Sequence, residues 1–254
     1  MTFARTPTRR CALMMALAAI LLPCGAIAAD ASTYLLFPSV VQGEREIDLH
    51  CGVGSAGAQT ANEQDCGIGL GIGISAHWFT ELALQVRKVG DQGRGIDALE
   101  WENIFTFAEP NEWPVDLGLA LEIERPRNPQ EGPSLRVGPL LQKEFGRIQA
   151  NFNVLASRHY QTDRFESVQL RYQGQVKYRY SEPMEFGVQA FGNLGTPAQS
   201  WSAYAQQNHR VGPVLLGRFP LPAERAISYN AAFLLGTTAR SADRTLRVQI
   251  EYEF

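Results

Sequence analysis

The sequence has no apolar run long enough to cross a membrane as a helix. The strongest run, residues 11–22, falls short of the roughly 20 apolar residues that a spanning helix needs. Mean hydropathy over the whole chain is −0.17. These values exclude a bundle of membrane-spanning helices. They are compatible with a membrane β-barrel, because only every second residue of a barrel strand faces lipid.

Clusters of basic residues are absent as well. The chain has 23 Lys and Arg against 26 Asp and Glu, a net charge of −3, and the basic residues are scattered along alternating segments. A basic run or an aromatic RNA-binding motif would accompany a nucleic-acid partner. We therefore expect no nucleic acid among the partners. No internal repeat or low-complexity stretch predicts a repeat architecture.

The first 28 residues have the order that is typical of a cleavable secretory signal. Three Arg precede the apolar run, and small residues follow it. We therefore predict a signal peptide at residues 1–28 and a single mature domain at residues 29–254. Removal of the signal takes away three Arg and no acidic residue, so the mature chain is more acidic than the precursor.

Cysteine is scarce. The chain has four, and only Cys51 and Cys66 lie beyond the predicted signal. An even number of Cys in a chain exported to an oxidising compartment favours a disulfide between them. Two reduced, unreactive thiols are the alternative.

Apolar and polar residues alternate in about twelve segments that have the length of membrane strands. In the last segment Leu246, Val248 and Ile250 share one face, while Arg247 and Gln249 share the other. The predicted strands are residues 40–51, 66–75, 78–88, 97–107, 113–124, 134–144, 147–158, 166–180, 184–193, 209–219, 226–236 and 244–254.

The connections between these segments alternate between short turns and long loops rich in Gly and Pro. The predicted short turns are 76–77, 108–112, 145–146, 181–183 and 220–225, and the long loops are 52–65, 89–96, 125–133, 159–165, 194–208 and 237–243. A membrane barrel alternates short periplasmic turns with longer outer loops, whereas a soluble β-sandwich, the alternative fold, has no reason to do so. We therefore predict an all-β fold, an antiparallel transmembrane β-barrel of about twelve strands.

Several motifs carry a resemblance to a known family. Segments 44–48 (EREID), 100–103 (EWEN) and 141–146 (LQKEFG) resemble motifs of uncharacterised proteobacterial outer-membrane proteins. The last residue, Phe254, is similar to the terminal aromatic that the barrel insertion machinery reads. The resemblance implies a porin-like barrel that reaches the bacterial outer membrane through the periplasm, with membrane lipid and the insertion machinery as partners. It implies no established activity and no catalytic residue.

Two sets of charged residues face the lumen if the more apolar face of each strand faces lipid. The acidic set is Glu81, Glu100, Glu102, Asp116, Glu122 and Glu124, and the basic set on the eighth strand is Arg171, Lys177 and Arg179. Opposed acidic and basic walls would create a field across a pore that orients dipolar solutes. The alternative is a narrow barrel whose interior is filled by ion pairs and conducts little.

Ser157 and His159 share one face of the seventh strand with Asn151 and Asn153. Outer-membrane phospholipases use Ser, His and Asn on a barrel strand, but in them His precedes Ser, so we expect no catalytic site here.

Three histidines, His50, His159 and His209, lie toward the predicted outer rim, with Asp65 and Asp163 in neighbouring loops. No two of these histidines have close ligand spacing, so we expect no metal and no cofactor.

Together these features predict a passive channel or transporter for small polar solutes that selects by charge and catalyses no reaction. A structural or accessory outer-membrane protein with a filled interior is the alternative. An outer-membrane lipid hydrolase is the third hypothesis.

Overall fold

In the computed structural model the chain forms a closed antiparallel β-barrel of twelve strands. The structure describes residues 31–91, 93–160, 167–196 and 203–254, so the predicted signal peptide lies outside the described residues. The predicted fold class and strand number are confirmed. The strands are β1 (Arg45–Gly54), β2 (Glu63–Ser75), β3 (Trp78–Val89), β4 (Gly95–Thr106), β5 (Asp116–Pro126), β6 (Ser134–Phe145), β7 (Ile148–His159), β8 (Gln169–Ser181), β9 (Met184–Gly195), β10 (Asn208–Leu221), β11 (Arg225–Gly236) and β12 (Arg244–Glu253).

The strands place apolar side chains outside the barrel and polar or small residues inside. On β12, Leu246 and Val248 are exposed, whereas Arg247 and Gln249 are buried. This alternation follows from the period of two along a strand, and it gives the barrel an apolar exterior. Among the residues that the structure describes, no helix is long and apolar enough to cross a membrane.

The barrel closes between its first and last strands. β1 and β12 pair from Glu46 opposite Glu253 to Gly54 opposite Thr245. Each strand therefore has two hydrogen-bonded neighbours, and the sheet has no open edge through which another chain could pair.

The two ends of the barrel differ in their connections. One, the short-turn end, carries the turns 76–77, 146–147, 182–183 and 222–224. The other, the long-loop end, carries 55–62, 90–94, 127–133, 160–168, 196–207 and 237–243. The predicted alternation is present, with one exception: 107–115 at the short-turn end is as long as several of the loops.

The first strand begins later than the sequence predicts, at Arg45 instead of residue 40. The residues before it turn into the barrel interior, and Gly43 permits this turn because it adopts a positive φ of 82°. The second strand begins earlier than predicted, at Glu63, because Glu63 pairs with Gly54 of β1.

The predicted disulfide is confirmed. Cys51 and Cys66 lie opposite each other on β1 and β2, with Cα atoms 4.1 Å apart, and their sulfurs are bonded. They share the outward face with the exposed Leu49 and Ile68. The bridge therefore lies outside the lumen and crosslinks two strands that are already paired.

Replacing both cysteines with Ser should lower the free energy of unfolding by up to about 3 kcal/mol, the chain-entropy value for a closed loop of this size. The barrel itself should remain, because strand pairing on both sides of the bridge is unchanged. Unfolding by urea in detergent measures the change. Thiol labelling of denatured, unreduced mature protein should find no free Cys, and two labelled thiols would contradict the bridge.

Candidate functional site

The interior of the barrel contains a segment that is not part of its wall. We call residues 31–44 the N-terminal strap. Near the long-loop end, the amide of Ala31 donates to Asp65 Oδ2 at 2.9 Å. The carbonyl of Thr33 accepts from Arg247 Nη1, also at 2.9 Å. These contacts hold the beginning of the strap against β2 and β12, inside the lumen.

Polar side chains from the opposite wall hold the middle of the strap. Gln173 of β8 accepts from the amide of Leu36 at 3.1 Å and donates to the carbonyl of Tyr34 at 2.8 Å. Asn153 of β7 donates to the carbonyl of Leu36 at 2.9 Å. A buried backbone outside regular structure needs such partners, because unpaired peptide groups are costly.

The strap ends at the short-turn end. Thr106 of β4 donates to the carbonyl of Pro38 at 3.3 Å, and Gly73 of β2 donates to the carbonyl of Glu44 at 2.9 Å. The strap thus crosses the lumen from one end of the barrel to the other and contacts strands on several sides of the wall.

Glycines on the inner wall make room for the strap. A Cβ atom on Gly52 would lie 2.1 Å from the backbone carbon of Ala31, and one on Gly73 would lie 2.0 Å from the carbonyl oxygen of Val41. A Cβ on Gly118 would lie 2.8 Å from Pro38 Cβ. These glycines are therefore needed for close backbone approach.

The strap also contributes to an apolar core inside the barrel. Leu36 is 6% exposed and belongs to a buried cluster with Ile104, Ala120, Leu140 and Leu155. Burial of a Leu side chain contributes about 1.5–3 kcal/mol. The strap is therefore anchored by both packing and hydrogen bonds, and the lumen is not an open pore along its whole length.

The acidic residues singled out from the sequence lie on the inward faces of β3, β4 and β5. Glu102 is opposite Glu81 on one side and opposite Glu122 on the other, and Glu100 is opposite Glu124. Like charges that face each other across strands are destabilising unless a counter-charge is near.

Arg136 of β6 supplies one such counter-charge. Its Nη1 lies 2.5 Å from Glu122 Oε2. The carboxylates of Glu100, Glu122 and Glu124 bring one oxygen each within 4.8 Å of one another beside it. Asp116 lies apart from this group, at the short-turn end, where its Oδ1 accepts from the amide of Asn111 at 2.6 Å.

The basic residues of β8 have local acidic partners. Lys177 Nζ lies 2.5 Å from Glu185 Oε2, and Arg179 Nη2 lies 2.5 Å from Glu144 Oε1. Arg171 is nearer the long-loop end, where it lines a cavity. Sequence reasoning missed Glu144 and Glu185, although Glu185 alternates with the outward Met184 and Phe186 on β9.

Arg247 is a buried cation that sequence reasoning did not select. It is fully buried, and its Nη2 donates to Gln189 Oε1 and Asn230 Oδ1 at 2.7 Å each. Its guanidinium also lies over the ring of Phe191, 5.5 Å from the centroid. The alternation of β12 places Arg247 inside, but its contact with Thr33 could not be read from that pattern.

Cavities adjoin the strap, and three of them are lined by described residues. The upper chamber, of about 250 Å³, opens toward the long-loop end and is lined by Glu100, Glu124 and Arg171. The lower chamber, of about 290 Å³, lies toward the short-turn end beside Glu46 and Glu81. The side chamber, of about 320 Å³, is lined by Lys177, Arg179 and Glu185. Strap residues line all three: Tyr34 and Leu36 line the upper and lower chambers, and Phe37 lines the lower and side chambers.

The Ser and His residues of the hydrolase hypothesis do not contact each other. His159 Nδ1 lies 3.3 Å from the carbonyl oxygen of Gly132. Within the described part of the chain, no hydrogen bond joins His159 to Ser157, and Asn151 and Asn153 donate to Gln142 and to the strap. The arrangement lacks the mutual geometry of a catalytic triad.

The histidines have separate partners as well. His50 Nδ1 is 2.5 Å from Asp48 Oδ1, and His209 Nδ1 is 3.0 Å from the hydroxyl of Tyr172. Asp163 lies outside the described residues.

Comparisons with known proteins agree on the fold. No protein-family model and no curated protein matches the sequence. Among solved structures, the NanC porin superposes with a TM-score of 0.56 at 11% identity, covering 82% of this chain and 98% of that one. The KdgM porin in complex with disordered oligogalacturonate has a TM-score of 0.51 at 7% identity, with 82% and 98% covered. At these identities the likeness establishes the barrel fold.

Proposed function

We propose that this chain is a bacterial outer-membrane barrel that acts as a passive channel for small polar solutes. The observation that carries the proposal is a closed barrel with an apolar exterior and a charged interior that retains three chambers. Selection would be electrostatic, with no covalent step and no cofactor. The proposal includes export through the periplasm after signal removal, and membership in the proteobacterial outer-membrane family that the motifs resemble.

The exterior supports a membrane location. Large apolar residues such as Leu70, Leu82, Phe152, Val176 and Val188 are each about half exposed or more. A soluble protein rarely leaves so extensive an apolar surface uncovered. Hydrocarbon lipid is the natural partner of this surface, and the insertion machinery would place the barrel there with its short-turn end in the periplasm.

The interior supports passage of small polar solutes. Carboxylates concentrate on β3, β4 and β5, whereas Lys177 and Arg179 lie on β8, three strands from β5, in ion pairs with Glu185 and Glu144. Charges of opposite sign on two walls orient dipolar solutes and select among ions.

A non-conducting structural or accessory protein is the second candidate, and the strap favours it, because Leu36 packs into a core that fills the middle of the lumen. Single-channel recording of refolded protein in planar bilayers separates the two. Discrete conductance steps support the channel. Their absence, from protein that migrates as a folded barrel on unheated gels, supports the accessory role. Release of fatty acid from dispersed phospholipid would instead support the hydrolase hypothesis.

Neutralising Arg171, Lys177 and Arg179 with Gln should shift the selectivity of a working channel toward cations. A unit charge contributes about 0.5 kcal/mol at 8 Å even in bulk water, so we expect the K⁺ to Cl⁻ permeability ratio to rise at least about twofold. The reversal potential in a KCl gradient measures this.

The matched control replaces three exposed arginines, Arg125, Arg147 and Arg225, with Gln. The control should leave the ratio nearly unchanged. An unaltered reversal potential in the variant that lacks Arg171, Lys177 and Arg179 would contradict a role for those three residues in selection.

A further inference from the structure

We propose that the lower chamber binds a small organic cation, an alkylamine that carries two or more ammonium groups. The inference rests on the proposed function, which it deepens by naming the class of solute. The chamber is bounded above by the strap, at the side by β1, β3, β4 and β12, and below by the short-turn end of the barrel.

Carboxylates dominate one wall of the chamber. They are contributed by Glu46, Asp48, Glu81, Glu102 and Glu251. Glu81 is only 4% exposed, and its Oε1 has no hydrogen-bond partner. A Cβ on Gly69 would lie 2.3 Å from that oxygen, so a glycine makes the space in which this carboxylate sits.

The charged neighbours of Glu81 and Glu46 are acidic. Those that act most strongly on Glu81 are Glu102, Asp48 and Glu251. Those that act most strongly on Glu46 are Glu251, Glu81 and Glu44. Buried carboxylates that face one another are neutralised either by protonation or by a bound cation, because desolvation costs several kcal/mol for each ion.

The cationic groups at hand are already engaged elsewhere. Arg218 is the one Lys or Arg among the described residues that line the chamber, and it forms an ion pair with Glu253. His50, nearby, is held by Asp48. A bound cation would therefore supply the compensation that the wall lacks.

Apolar side chains in the lining decide the kind of cation. Leu35, Phe37 and Val41 of the strap contribute to them, and so do Phe79 and Ile104, which lie beside Glu81 and Glu102 on β3 and β4. Mg²⁺ and Ca²⁺ take oxygen ligands and gain nothing from apolar side chains in the lining. An alkylamine places its ammonium groups against the carboxylates and its methylene chain against the apolar side chains. The chamber volume of about 290 Å³ is near the lower limit of ligand pockets, which suits a small molecule.

Titration of refolded protein in detergent with spermidine and with putrescine, followed by calorimetry, tests the site. We expect saturable binding to the unaltered protein. Glu81→Gln should weaken it about tenfold through loss of a charge-assisted contact. Glu109→Gln, which removes one negative charge from an exposed turn, should leave the affinity unchanged. Uncharged 1,4-butanediol should not bind.

A second variant, Glu46→Gln, covers the case in which Glu81→Gln fails to fold, as judged by migration on unheated gels. No saturable amine binding would overturn the proposal. The proposal would also be overturned if the folded Glu81→Gln and Glu46→Gln variants bound the amine as tightly as the unaltered protein. Magnesium that binds the chamber and displaces spermidine would indicate a metal site instead.

This experiment is independent of conduction, since no membrane is involved. Amine binding without conductance steps would retain the site and refute the channel. Conductance without amine binding would retain the channel and refute the site.

Discussion

A refolded chain that begins at Val41, and so lacks most of the N-terminal strap, is expected to conduct several-fold more current per channel than the mature protein. The strap occupies the lumen between the upper and lower chambers, where Leu36 joins the inner apolar core. Its removal would connect the chambers, and ion flow rises with the open cross-section. Retaining residues 41–44 keeps the hydrogen bonds of Gly43 and Glu44 to Gly73. Single-channel recording in planar bilayers provides the measurement.

A point variant tests the same idea with less risk to folding. Gln173→Ala removes the hydrogen bonds to Tyr34 and Leu36, so conductance should rise to an intermediate level or fluctuate between two levels. Gln175→Ala is the matched control, because Gln175 lies on the same face of β8 but bonds to Gln189. Equal conductance of the folded truncated and mature proteins would show that the strap does not limit passage.

The barrel itself could be predicted from the sequence because its signal is local. Period-two alternation and turn composition are read within a few residues, and they gave the strand number and most strand positions. The bond between Cys51 and Cys66 followed from the even Cys count together with the predicted export. Closure of β1 on β12 is what a membrane barrel requires, because it leaves no strand edge open.

The strap could not be predicted in this way, because its partners are distant in sequence. Leu36 bonds to Gln173 and Asn153, more than one hundred residues away. A short apolar stretch such as residues 34–37 has no period that distinguishes a lumen segment from the start of a strand. The glycines that admit it, among them Gly52 and Gly118, have meaning only once the opposing backbone is in place.

The charge pattern was only partly predictable for a related reason. The sequence indicated which residues face inward, and it predicted an acidic wall opposed to a basic one. It did not indicate that Lys177 pairs with Glu185 on the adjacent strand β9, or that Arg179 pairs with Glu144 on β6, beyond β7. Short-range pairing outweighs attraction across the lumen because Coulomb energy falls with distance. The carboxylates near Glu81 are therefore left without those cations, which is the physical basis of the proposed amine site.

Deleting Tyr252, Glu253 and Phe254 is expected to abolish a stable, membrane-inserted barrel. Tyr252 and Glu253 pair with β1 on one side and with β11 on the other. The amide of Phe254 donates to the carbonyl of Arg45 at 2.8 Å, and Glu253 forms an ion pair with Arg218. The deletion therefore leaves backbone groups of β1 and β11 unpaired at this end of the seam, the pairing of β1 with β12. Each backbone group left unpaired in hydrocarbon costs several kcal/mol.

Heat-modifiable migration on gels and resistance to protease measure the loss after insertion into liposomes. The matched control removes three residues, 198–200, which lie in the sequence between the end of β9 at Gly195 and the start of β10 at Asn208, and this deletion should be tolerated. Phe254→Ala alone should have a smaller effect than the deletion, because the backbone bond to Arg45 remains possible. If the protein without residues 252–254 still inserts as a compact, protease-resistant barrel, pairing at the short-turn end of the seam is not what holds the barrel closed.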